Sequence, residues 1–98
     1  MFSLFKKKDS FIVLFKSYEA GNEAHYLTKE IIGVSDSQFT ANRIAFGFAS
    51  ALGKVFSKRG KVFTRSTDLE NGKIFFASNS EDGTEMKEEI CIEKWTKE

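Results

Sequence analysis

Between Ser35 and Gly60 the chain carries one long helical period, and no other stretch repeats it. A chain with a single helix and otherwise strand-like segments can bury its core only by laying that helix on a sheet. Ser35, Asp36 and Ser37 offer N-cap oxygens just ahead of the period, and Lys58 and Arg59 make a basic last turn before Gly60. The helix is therefore expected from about Gln38 to Arg59. At about 100° per residue, Ala41, Ile44, Ala45, Phe48, Ala51, Leu52, Val55 and Phe56 fall on one arc, the side that would face the sheet.

The strands bracket this helix. Ser10 to Tyr18 (SFIVLFKSY) is β-branched and aromatic with almost no polar alternation, as expected of a central strand covered on both faces. Gly21-Asn22 suits a turn, and His25 to Val34 reads as its hairpin partner. After the helix, KVFTRSTDL and GKIFFAS flank Asn71-Gly72, a strong hairpin signal, and Asp82-Gly83 turns the chain into MKEEICIEKW. In that last strand Ile90 and Ile92 share one face, and Glu89, Cys91, Glu93 and Trp95 the other. The expectation is an α+β fold in one domain over residues 1–98, with residues 1–8 as a packing or flexible segment. Its antiparallel sheet has about five strands in the order β-β-α-β-β-β, with one long helix on one face. One helix covers one face only, yet Ser10–Tyr18 is apolar on both. The sheet is then either coiled into a partial barrel around the helix, or its second face is covered by the amino-terminal segment or by another chain.

Few residues are suited to catalysis. His25 is the only histidine, and a general-base role beside Glu23 or Glu30 is a weaker reading than an ordinary strand-edge position. Cys91 is the only cysteine, which excludes an intrachain disulfide and a cysteine-cluster zinc site and suits a reducing, cytoplasmic compartment. Glu88 and Glu89 would point to opposite sides of a strand, wrong for a two-carboxylate site. Gly47 and Gly53 lie inside the helix, where close approach of a strand or a second chain explains them better than a phosphate loop. No catalytic residue, cofactor, metal ion, targeting segment or transmembrane segment is expected.

Charge is unevenly spread. From Arg43 to Arg65 there are six basic residues and no acids, the segment after it from Asp68 onward sums to −5, and residues 1–36 sum to zero. A nucleic-acid module would use Lys54, Lys58, Arg59, Lys61, Phe63 and Arg65, with Phe63 as a stacking ring. The near-neutral total argues against it. On the helix's outer side, Phe39 and Phe46 fall outside the core arc with Arg43 at their border, which is explained either by packing of Phe2, Leu4 and Phe5 over the rings or by a partner, since aromatics with Arg commonly anchor interfaces. The sequence therefore points to a small non-catalytic binding module, comparable in scale to accessory, immunity or inhibitor proteins. Its partner would be another protein or a second copy of the chain, held through Phe39, Arg43 and Phe46 or through the open sheet face. Nucleic-acid binding is the alternative.

Overall fold

The structure, a computed structural model, describes residues 8–68, 70–79 and 83–97. Phe2, Leu4 and Phe5 lie outside that set. The chain runs β1 (Lys8–Glu19), β2 (Thr28–Ser35), α1 (Gln38–Lys58), β3 (Phe63–Asp68), β4 (Lys73–Asn79) and β5 (Glu85–Lys97). The strands form one antiparallel sheet in the order β2-β1-β5-β4-β3. The α+β class and the element order are those expected from the sequence.

The partial barrel is not formed. Closure would require β2 to pair with β3, and these are the two outer strands of the open sheet, separated by the other three. The second strand also starts later than expected, at Thr28 rather than His25. Two successive turns, Asn22 N–H to Glu19 O (3.0 Å) and His25 N–H to Asn22 O (3.1 Å), take the intervening residues out of the ladder before Leu27 N–H returns to Ser17 O (2.8 Å).

The helix ends follow local chemistry. Ser37 is the N-cap, its hydroxyl accepting from Thr40 N–H at 3.3 Å. At the other end Gly60, at φ +69°, donates to Ser57 O, and Lys61 N–H reaches Phe56 O. This pair of bonds satisfies carbonyls that the last turn would leave open. At the β3–β4 turn, Asp68 takes both the N–H and the side-chain amide of Asn71, at 3.2 and 2.8 Å, and Gly72 supplies the positive φ. Those bonds from Asn71 hold the Asp68 carboxyl below its usual range.

Helix and sheet meet through small residues. Ala41, Ala45 and Ala49 are almost fully buried at four-residue spacing, so the backbone sits close to the strands. Beneath it Gly33 of β2 leaves room for Ile44; a Cβ there would lie 2.9 Å from Ile44 Cγ2. Phe48 packs on Phe15 at 5.1 Å, and Phe56 closes the far end against Phe63 (5.4 Å) and Phe76 (5.9 Å). The helix thus crosses the sheet obliquely, from over β2 and β1 at its start to over β4 and β3 at its end. The buried stripe is consequently turned from the arc read in sequence. Ala49 is buried, while Ala51 and Val55 are exposed because the helix has by then left β2.

Two glycines test this packing in opposite directions. Gly33→Ala should destabilise the fold by about 1–3 kcal/mol, because its methyl group overlaps Ile44. Gly47→Ala, where an added Cβ meets nothing within 4 Å, should stabilise it by about 1 kcal/mol through helix propensity. Denaturant unfolding reads both, and a neutral Gly33→Ala would contradict the close approach.

Candidate functional site

The outer side of α1 presents the aromatic pair. Phe39 is 70% exposed and Phe46 is 40% exposed. The Arg43 guanidinium lies 5.9 Å from the Phe39 ring centroid, a cation–π contact one helical turn away. The structure therefore brings Phe39, Arg43 and Phe46 onto one helical surface. An apolar ring left this open to water retains a hydration cost in proportion to its exposed area until something covers it.

Phe46 also has a second neighbour that the sequence does not reveal. Because the helix starts over β2 and β1, its first half leaves the β3–β4 end of the same sheet face uncovered. A cleft of about 250 Å³ opens there, with Phe11, Ala45, Ile74 and Ile92 at its base, Phe46 as a wall and Asn42 at its rim. An apolar base bordered by amides, two lysines and a carboxylate suits a protruding apolar side chain with polar neighbours. Helical periodicity could have placed Asn42 beside Phe46, but the cleft itself depends on the crossing angle.

The basic strip is distributed around the other end of the helix. Lys54 and Lys58 lie on its exposed surface, Arg59 and Lys61 on the connection after it, and Arg65 on β3. None of these five makes an ion pair within 4 Å with a described carboxylate. Two instead lie over the protein's own rings, Lys61 4.7 Å from Phe56 and Arg65 5.8 Å from Phe76. Phe63 is half-buried, with its ring against Phe56 and Phe76 (5.7 Å), so it is committed to the core rather than presented for stacking.

On the sheet face away from the helix, Lys16, Tyr18 and Glu89 form a buried polar cluster absent from the sequence reading. Tyr18 Oη donates to Glu89 Oε1 at 3.3 Å, and Lys16 Nζ stands 3.9 Å from Glu89 Oε2. Tyr26, from the β1–β2 loop, folds over them, 5.8 Å from the Tyr18 ring and 5.1 Å from Lys16 Nζ. Burial and the Glu89 carboxylate push the Tyr18 hydroxyl up to about 12. Leu14 and Cys91, opposite one another on β1 and β5, are buried beside this cluster, and Ile31, Val34 and Trp95 stay exposed around it.

His25 lies exposed in the β1–β2 loop, and Glu23 and Glu30 are likewise exposed. Burial pushes the Cys91 thiol above its usual range, which disfavours the thiolate a nucleophile requires. Among the described residues no group of three or more His, Cys, Asp or Glu is placed to hold a metal ion, and no helix is long and apolar enough to cross a membrane.

Glu88 and Glu89 do point to opposite faces. Glu88 is on the helix side, 7% exposed, between Ser17 and Phe76 in the ladder, with Oε2 unpartnered. Burial raises its carboxyl above the usual 4.5, against a smaller opposing effect of Lys61. Such a group holds its proton more tightly folded than unfolded. Its contribution is full below pH 4.5 and is lost as pH rises through the raised value. Glu88→Gln should therefore remove that downward slope and be more stable than the wild type at neutral pH. A variant less stable than wild type at neutral pH would show that the Lys61 attraction dominates. In a separate test, Cys91 should resist alkylation in the native state and react on unfolding; rapid native labelling would contradict its burial.

Comparison with protein-family models, with curated proteins and with solved structures gives no match for this chain, so its functional reading rests on its own geometry.

Proposed function

We propose that this chain is a non-catalytic protein-binding module whose contact surface is the first half of α1 and the cleft beside it. The observation that carries the reading is the 70% exposure of Phe39 next to Arg43, with Phe46 forming the wall of an open apolar cleft. Phe39 and Arg43 supply the aromatic and cationic anchors that dominate interface energetics, and the cleft supplies a pocket for an anchor from the other side. The partner is another protein or a second copy of this chain. A reducing cytoplasmic setting belongs to the same proposal and rests on the single buried thiol of Cys91.

The absence of catalysis is supported by how the reactive groups are placed. His25 stands in an exposed loop, and the Cys91 thiol lies beneath the opposite sheet face with its proton held by burial. Neither is near the cleft, whose lining residues carry amides, lysines and one carboxylate.

Photo-crosslinking tests the surface directly. With p-benzoylphenylalanine replacing Phe39 or Phe46, irradiation in the cells that make this protein should trap one defined adduct, to a partner or to a second copy. The same probe at exposed Ala51, on another side of the helix, should trap none. Phe46→Asp should unfold cooperatively like the wild type and abolish the adduct at position 39. Labelling at 39 and 46 no stronger than at 51, or an adduct that survives Phe46→Asp, would overturn the assignment.

A further inference from the structure

The outer edge of β3 differs from the sheet's other edge in a way that the helix-face reading does not use. β2 is broken by a register shift opposite Val13 and Leu14, an irregularity that discourages another strand from pairing. β3 is regular from Phe63 opposite Ser78 to Asp68 opposite Lys73, with no bulge and no proline, and among the described residues it has no neighbour beyond it. Its outward backbone groups therefore form a row of donors and acceptors that only another extended chain matches in spacing.

Two hollows flank that edge. Above it, a shallow groove runs between Phe63 and the helix, with Gly53 and Ser57 in its base and Lys54 and Lys58 at its rim. At its start, a second hollow is bordered by Arg59, Lys61 and Thr64, with Glu85 on the far side. Val62, just before the strand, is 87% exposed. Around the edge, then, stand five cations without an ion pair to a described carboxylate, together with aliphatic surface and small residues.

We propose that the edge of β3 takes an extended acidic segment of a partner protein as a sixth strand, its carboxylates facing Lys54, Lys58, Arg59, Lys61 and Arg65. A strand's alternation places every second side chain of the added segment toward the helix groove, where Lys54 and Lys58 meet its acids, while the apolar side chains between them face the other side of the sheet. A nucleic acid fits this surface less well. Phe63, the ring available among the cations, is held by Phe56 and Phe76, and a free strand edge has no counterpart in a phosphodiester backbone.

The test uses a short labelled peptide of alternating Glu and Val, a matching Lys–Val peptide, and oligothymidylate. The Glu–Val peptide should bind, with added salt weakening it, and should slow amide exchange within residues 63–68. Lys54→Glu combined with Lys58→Glu should weaken binding about tenfold or more through like-charge repulsion. Phe46→Asp should leave it unchanged, which separates this edge from the helix surface. The proposal is overturned by failure of the Glu–Val peptide to bind, by equal binding of the Lys–Val peptide, by tighter binding of oligothymidylate, or by binding that leaves the β3 amides unprotected.

Discussion

The seating of Ile44 over Gly33 is the contact on which the rest of the molecule depends. A helix can come this close to a strand only where the strand lacks a Cβ, and only if its own inner side is as small as Ala41, Ala45 and Ala49. The alanines bury little area each, so they bring the backbones together without supplying much of the hydrophobic stabilisation themselves. That comes from the rings farther along, Phe48 on Phe15 and Phe56 on Phe63 and Phe76, which fix where the helix must end. One end pinned over β2 and the other over β3 and β4 makes the crossing oblique. An oblique helix on a five-stranded sheet leaves opposite corners bare. One corner exposes Ala51 and Val55; the other is the cleft beside Phe46.

The two sheet faces use polar groups differently. Away from the helix, Glu89 is satisfied by Tyr18 and Lys16, and Tyr26 folds over the group, so the ionic contact is closed within the chain. On the helix side, Glu88 keeps an unpartnered carboxylate oxygen, and the side-chain hydroxyl of Ser78, on the neighbouring strand, is unpartnered as well. Burial of the Glu88 carboxyl is what raises its proton affinity. The basic groups around that end remain free of ion pairs with described carboxylates, so the sheet's acidic strand does not neutralise the strip by contact.

Much of the architecture was legible because its signals are local. Ser37 capping Thr40, Gly60 closing the helix, and Asn71-Gly72 turning the hairpin are each decided within a few residues. The faces of β5 were readable because alternation separates Ile90 and Ile92 from Cys91 and Trp95. The helix phase was less so. Hydrophobicity ranks Val55 above Ala49 as a core residue, whereas the crossing angle buries Ala49 and exposes Val55. The burial of Glu88 was equally hidden, since it depends on its cross-strand neighbours Ser17 and Phe76. Phe39, Arg43 and Phe46 were found by their angular position alone; the cleft required the tertiary arrangement.

The outer side of α1 is left uncovered by the described residues of its own chain, while the alanine stripe is sealed. A soluble paramagnetic probe added to a dilute NMR sample reads this directly, because it broadens only resonances that solvent reaches. Strong broadening is expected of the Phe39 and Phe46 rings and of the Ala51 methyl, with Ala41, Ala45 and Ala49 little affected. Protection of Phe39 and Phe46 in the dilute monomer, or broadening of Ala45 and Ala49 in place of Ala51, would contradict this pattern of exposure.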